Sequence, residues 1–345
     1  MSEPERVDQE SKTDGGPLLD IRDLTVQFDT DEGPVLAVNR LSLRLDAGQV
    51  LALVGESGCG KTVTALSLLR LAPPNARVTG QVVFAGRDLL TVRQRDLRSV
   101  RGRDISMVFQ EPMSSLNPVF TVGRQITEVL RRHQKLSGRA ARARAVELLD
   151  LVRIPTPSRR VDEYPHQMSG GMRQRVMIAM AVACSPRLVI ADEPTTALDV
   201  TIQAQALDIL RDLRERFGTA ILLITHNLGV VADLADRVAV MYAGHKVEEA
   251  PVDRLFATPQ HPYTIGLLGA VPRPELHRGD DRRLAEIPGL VPVLRGAPTG
   301  CVFAPRCDRG TDECQATAPA LTQVLPDQQV ACFHPGAREP QEVPA

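Results

Sequence analysis

Short apolar runs separated by polar turns set the rhythm of the chain. Residues 19–28 and 35–45 carry the partial alternation of two antiparallel strands, joined by the polar turn Asp29-Thr30-Asp31-Glu32-Gly33-Pro34. Residues 50–54 read as a short buried strand and 62–71 as a helix, and a further strand over 105–109 ends at Gln110. From 122 to 151 the pattern is helical and closes on Pro155 and Pro157. A second helical pattern follows Ser169-Gly170-Gly171, reaches Ala183 and stops at Pro186. Residues 188–191 and 220–224 are entirely apolar, the texture of central strands in a parallel sheet covered on both faces. Residues 238–242 and 246–249, turning at Ala243-Gly244-His245, predict a hairpin. Beyond Pro259 the chain becomes proline-rich, cysteine-bearing and weakly periodic, which places a domain boundary there.

The 345 residues have room for one large core plus an appendage, so two domains of unequal size are expected. Lys and Arg total 41 against 42 Asp and Glu, a formal net charge of −1. No global field then draws the chain to nucleic acid or to an anionic bilayer. The longest apolar stretches, such as 176–184, are about half of the ~18 residues a membrane span needs, so any membrane role works through partners. Residues 1–16 are polar and acid-rich, which predicts a disordered tail rather than a signal peptide. A cytosolic setting follows, in which the six cysteines are thiols or metal ligands before they are disulfides. Arg131, Arg132, Arg139, Arg142 and Arg144 form either a solvated helix face or a docking surface.

The chemistry gathers at strand ends. Gly55-Glu56-Ser57-Gly58-Cys59-Gly60-Lys61-Thr62 matches G-x-x-x-x-G-K-[ST] between a strand and a helix, so bare amides and a helix N-terminus face a polyphosphate. Lys61 places a charge on the β- and γ-phosphates, and the Thr62 hydroxyl takes one position on Mg²⁺. Asp192, at the tip of an apolar strand, holds Mg²⁺ through its hydration shell, while Glu193 is placed to accept a proton from an attacking water. His226 ends the neighbouring strand within reach of the γ-phosphate, and Gln110 supplies an amide for Mg²⁺ or the water. Ser169, Gly170 and Gly171 open a helix with no strand before them. Their anion site implies a phosphate contributed by another molecule. Cys59 lies near Lys61 and a helix N-terminus, an arrangement that lowers a thiol pKa and predicts alkylation that MgATP blocks.

In order and spacing, the segments 55–62, Gln110, Met168-Ser169-Gly170-Gly171-Met172, Asp192-Glu193, Ala197-Leu198-Asp199 and His226 resemble an ABC-transporter ATPase. They look like its Walker A, Q-loop, signature, Walker B, D-loop and H-loop. The resemblance implies an α/β P-loop ATPase over residues 17–258, with an antiparallel β subdomain and a helical subdomain near 112–185. It further implies two nucleotide domains meeting head to tail, each ATP held between one P-loop and the other domain's signature. Glu193 becomes the general base, Asp199 part of the nucleotide site, and Phe28 the aromatic that stacks on adenine. The signature departs from the commonest Leu-Ser-Gly-Gly-Gln, because methionine stands at both ends and Met172 lacks the amide of Gln.

The strings 168–180 and 191–201 resemble the oligopeptide and dipeptide importer branch. So does the tail over 259–345, with His261-Pro262-Tyr263-Thr264, Ile287-Pro288-Gly289 and Cys301, Cys307, Cys314 and Cys332. Four cysteines spaced x5, x6 and x17 suffice for a [4Fe–4S] cluster, while structural zinc and free thiols stay open as alternatives. The branch implies two integral-membrane permease subunits whose cytoplasmic coupling helix is received by residues 114–125, a second ATPase that is commonly a paralogue, and an extracytoplasmic peptide-binding protein. The chain then sits at the cytoplasmic face of the membrane. The rivals are the same machine with another cargo, such as nickel or glutathione, and a soluble ABC ATPase acting on nucleic acid or ribosomes.

Overall fold

The computed structural model describes residues 16–109, 115–194, 200–270 and 287–336. Strands β1 (Leu19–Phe28), β2 (Val35–Leu45) and β3 (Val50–Val54) lead into helix α1 (Lys61–Leu68). Then come β4 (Ala76–Phe84), β5 (Arg87–Asp88), α2 (Gln94–Val100) and β6 (Ile105–Val108). A helical stretch holds α3 (Val122–Gln134), α4 (Gly138–Leu151), α5 (Pro157–Arg160) and α6 (Gly170–Val182). It is followed by β7 (Leu188–Asp192), α7 (Val200–Phe217), β8 (Ala220–Ile224), α8 (Leu228–Leu234), β9 (Arg237–Tyr242) and β10 (His245–Pro251). The remainder is α9 (Val252–Ala257), α10 (Pro262–Gly269), α11 (Asp312–Ala316), β11 (Thr322–Leu325) and β12 (Gln328–Val330).

Two sheets result. An antiparallel one runs β2-β1-β4-β5, and a larger one runs β11-β12-β10-β9-β3-β8-β7-β6 with a parallel centre from β9 to β6. Every residue of β3, β7 and β8 is buried. Because successive side chains on a strand point to opposite faces, each central strand feeds two cores. Val50, Ala52 and Val54 join the core beneath the helices, and Leu51 and Leu53 join the core against the antiparallel sheet. In the same way Val189 and Ala191 face the first core while Leu188 and Ile190 face the second. With roughly 1.5–3 kcal/mol for each large side chain buried, this double coverage is what fixes the strand tips in space.

The helical pattern over 122–151 is two helices. Lys135 adopts a left-handed backbone (φ 57°) after α3, and Ser137 caps α4 by accepting a hydrogen bond from the Ala140 N–H. Helix α1 starts at Lys61 and ends at Leu68, three residues short of the expected limit.

The described residues past 259 are built onto the larger sheet. β12 pairs antiparallel with β10, Glu248 opposite Val330, and the Leu36 N–H donates to the Leu294 carbonyl at 2.7 Å. Tyr263 and Phe303 belong to the same core as the helices, with their rings 5.5 Å apart.

Candidate functional site

The tips of β3, β7 and β8 carry the P-loop, Asp192-Glu193 and Thr225-His226 respectively, and their parallel register brings all three to one edge of the sheet. The P-loop needs glycine at two positions for steric reasons. At Gly60 (φ 100°) a Cβ would lie 2.4 Å from the Ala37 carbonyl oxygen, and at Gly55 (φ 151°) one would lie 2.1 Å from that of Met241. The loop is therefore wedged between β2 and β9, which sets the direction in which its amides point.

Lys61 is almost fully buried. Its ammonium donates to the carbonyls of Gly55 at 2.8 Å and Glu56 at 2.9 Å, and touches the Cys59 sulfur at 3.6 Å. Thr62 donates to Asp192 Oδ1 at 3.2 Å. Burial pushes the Asp192 carboxyl up to about 6; its bond to Thr62 opposes this, and the neighbouring Glu193 charge adds to it. A desolvated carboxylate beside a hydroxyl is a pair of hard oxygen donors that suits Mg²⁺, which draws its other ligands from phosphate and water.

Glu193 leaves its strand with a left-handed backbone (φ 47°), its N–H held by the Ile224 carbonyl at 2.8 Å. A conformation of this kind costs about 1–3 kcal/mol and persists only where neighbours over-determine it. Here it turns the Glu193 carboxylate toward His226, whose Nδ1 lies 3.0 Å from Glu193 Oε1. The Glu193 side chain is 14 % exposed and that of His226 61 %, so the pair sits at the rim where water arrives. Phe28 ends β1 opposite Val35 and Ala76, half-buried against the second core. Gln110 and Asp199 lie outside the described residues.

Ser169 caps α6, its hydroxyl oxygen accepting from the Met172 N–H at 3.3 Å. That leaves the hydroxyl proton free of the cap, and Ser169 and Gly170 are both exposed. α6 packs against β6, α3, α4 and α7. Helix α6 thus packs on the β6 side of the sheet, three strands along from β3. Met172 packs on the core, and the nearby amide is Gln174, buried and donating to the Pro194 carbonyl at 2.7 Å.

Cys59 corrects an expectation. It is 1 % exposed, and burial raises its pKa by more than the adjacent Lys61 charge lowers it. The tertiary wedge that places the loop also seals the thiol.

Cys301, Cys307, Cys314 and Cys332 line one small cavity together with His261 and Phe303. The Arg309 N–H donates to Cys307 Sγ at 3.4 Å and the His334 N–H to Cys332 Sγ at 3.3 Å. Burial raises the thiols of Cys301, Cys307 and Cys332, the last to about 11. Among the described residues no group of three or more His, Cys, Asp or Glu side chains is arranged to hold a metal ion. The four sulfurs are gathered by donor type and position without forming a ligand shell.

Sequence reasoning missed the contacts that the C-terminal segment makes with the P-loop. Arg306 reaches both carboxylate oxygens of Glu56, at 3.2 and 3.1 Å, and the Glu56 N–H donates to the Tyr263 hydroxyl at 2.8 Å. The His-Pro-Tyr motif marked Tyr263 as notable, but no local pattern tied either residue to a loop some 200 positions away.

A family profile described as ABC transporter matches residues 38–196, and one described as the oligopeptide/dipeptide transporter C-terminal region matches 247–314. The chain is 53 % identical to a probable peptide ABC transporter ATP-binding protein of Sinorhizobium fredii, over 92 % of this chain and 94 % of the relative. It is 52 % identical to the oligopeptide transport ATP-binding protein OppD of Bacillus subtilis, over 84 % of this chain and 81 % of the relative. Among solved structures it resembles the ATP-binding cassette MJ0796 in a dimeric, post-hydrolysis state bound to ADP and Pi. That match has a TM-score of 0.62 and 26 % identity, and covers 68 % of this chain and 98 % of the other.

Proposed function

Since the chain belongs to the ATP-binding subunits of ABC transporters, we propose that it is the ATP-hydrolysing subunit of an importer for di- and oligopeptides. The C-terminal region is of the oligopeptide/dipeptide type, and the relatives at 52–53 % identity carry peptide-transport names. The observation that carries the catalytic reading is the Glu193–His226 pair, 3.0 Å apart at the strand edge that also bears the P-loop.

Lys61, now bonded to two carbonyls of its own loop, exchanges them for the β- and γ-phosphate oxygens of ATP. Thr62 and Asp192 are the residues that would hold the Mg²⁺ accompanying ATP, which would neutralise charge on the phosphate oxygens. Glu193 accepts the proton of the attacking water as its oxygen bonds to the γ-phosphorus and the bond to the β-bridging oxygen breaks. His226 orients that carboxylate and faces the γ-phosphate. Ser169 and the amides of Gly170 and Gly171 bind the γ-phosphate of a second nucleotide domain. The likeness to the dimeric cassette MJ0796 supports that arrangement.

Two integral-membrane permease subunits hold the chain at the cytoplasmic face of the membrane beside a second ATPase, and an extracytoplasmic peptide-binding protein delivers substrate from the opposite side. An apolar groove between the sheet edge and the helical subdomain suits a permease helix. It is lined by Leu71, Met107, Phe109, Leu116, Val129 and Met177, and Phe109 is 40 % exposed. No helix among the described residues is long and apolar enough to cross a membrane. Cys301, Cys307, Cys314 and Cys332 are the residues that would hold a [4Fe–4S] cluster. Their shared cavity favours it and their lack of a ligand-shell arrangement among the described residues counts against it; a cluster absorption band in anaerobically purified protein would support it, and a colourless, zinc-loaded protein would replace it with a structural zinc.

Uptake of labelled di- to pentapeptides in cells lacking this chain tests the cargo. Loss of uptake, restored by the parental chain and not by Glu193→Gln, is expected. Unchanged peptide uptake would overturn the cargo, and association of the chain with ribosomes instead of two multi-span proteins would overturn the importer.

A further inference from the structure

Arg306 lies between Cys301 and Cys307 in sequence, yet its side chain leaves the cysteine region and crosses to the P-loop. Its side chain is 6 % exposed although it carries a full charge. Its Nε donates to the Pro288 carbonyl at 2.7 Å and its Nη2 to the Ile287 carbonyl at 3.0 Å. With those two bonds fixing the plane, Nη1 faces Glu56 Oε1 at 3.2 Å, Oε2 at 3.1 Å and the Tyr242 hydroxyl at 3.3 Å. Charge-assisted bonds made by a planar guanidinium are directional, and the Arg306 side chain that makes them is itself almost wholly covered.

Glu56 is held from a second direction as well. Its backbone N–H donates to the hydroxyl of Tyr263, a fully buried residue whose ring packs 4.8 Å from Tyr242 and 5.5 Å from Phe303. Both the side chain and the backbone of the second P-loop residue are thus gripped by the C-terminal segment. The grip falls one residue after Gly55, whose lack of a Cβ lets the loop pass Met241, and its carbonyl side meets Lys61 at 2.9 Å.

We propose that Arg306 is a positioning residue for nucleotide binding: with Tyr263 it sets the path of the P-loop through Glu56 before ATP arrives. Neither residue touches the phosphates. They act by removing alternative loop conformations that ATP would otherwise have to exclude, so their loss weakens binding more than it slows the chemical step. The inference rests on the ATPase reading alone and is independent of cargo.

The test uses the full chain and measures KM for MgATP, kcat and the affinity of a fluorescent ATP analogue. Arg306→Ala is expected to raise KM and the analogue Kd about tenfold, the size of one charge-assisted hydrogen bond, with kcat within about twofold. Arg306→Lys restores part of the affinity. Glu56→Gln, which keeps the backbone and the shape, reproduces the effect, and the double variant is no weaker than either single one. Parental KM in both single variants, an equal fall in kcat with KM unchanged, or additive losses in the double variant would each overturn the proposal. If the parental protein itself bound no MgATP, the ATPase reading would fail instead.

Discussion

The hydroxyl of Thr62 lies 3.2 Å from Oδ1 of Asp192, although 130 residues separate them in the chain. The contact joins the first turn of α1 to the tip of β7 across β8, which lies between β3 and β7. It joins a helix residue and a strand-tip residue that no single element could bring together, with Glu193 the next residue along from Asp192.

Glu193→Gln keeps the size of the side chain and its contact with His226 while removing the proton acceptor. Turnover is expected to fall by about 10²–10⁴-fold, with MgATP still bound and an ATP-dependent dimer accumulating on gel filtration. Hydrolysis at the parental rate would show that another group takes the proton.

Gly60→Ala places a Cβ 2.4 Å from the Ala37 carbonyl oxygen, at a backbone angle that L side chains rarely adopt. The Ala37 carbonyl belongs to the backbone of β2 and cannot yield, so the loop must shift away from the phosphate position. Loss of nucleotide binding with the sheet intact, measured by calorimetry and circular dichroism, is the expected result. Binding within about twofold of parental would contradict the wedge.

Cys59 is sealed, with its thiol raised by burial. Native protein at pH 8 is expected to resist iodoacetamide at this position whether or not MgATP is present, and to label fully once unfolded, as read by mass spectrometry. Rapid labelling that MgATP suppresses would restore the lower pKa that the local sequence suggests.

His261 is buried, and burial with a further contribution from the Arg309 charge holds its pKa at about 3 against an ordinary 6.5. The folded form is neutral, so between these values the unfolded chain binds the extra proton. The contribution to stability is complete above about pH 6.5 and is lost as pH falls toward 3. Lowering pH from 7 to 5 is expected to cost about 2 kcal/mol from this group in denaturant unfolding. His261→Asn retains an N-cap acceptor for the Tyr263 N–H and should show a smaller pH slope; equal slopes would assign the effect to other groups.

Much of the frame was legible in the sequence. The limits of β1, β2, β3 and β8 follow from apolar alternation or continuous apolar runs bounded by turns, because burial on one or both faces imprints a period that neighbours along the chain display. The same holds for the P-loop and for Asp192-Glu193, where glycines, a Lys-Thr pair and carboxylates stand at strand ends in a local order. The break at Lys135 was not legible, since the left-handed turn there uses neither glycine nor proline.

What tertiary structure alone decided are relations between distant segments. Local charge near Cys59 argues for a reactive thiol, but the packing of β2 and β9 around the loop removes the water on which that argument depends. The weakly periodic tail reads as a separate appendage, yet β12 extends the sheet at β10 and Arg306 grips Glu56 250 positions away. Periodicity records which face of a segment is covered. It does not record what covers it, and desolvation, ion pairing and the path of the P-loop all depend on the identity of that cover.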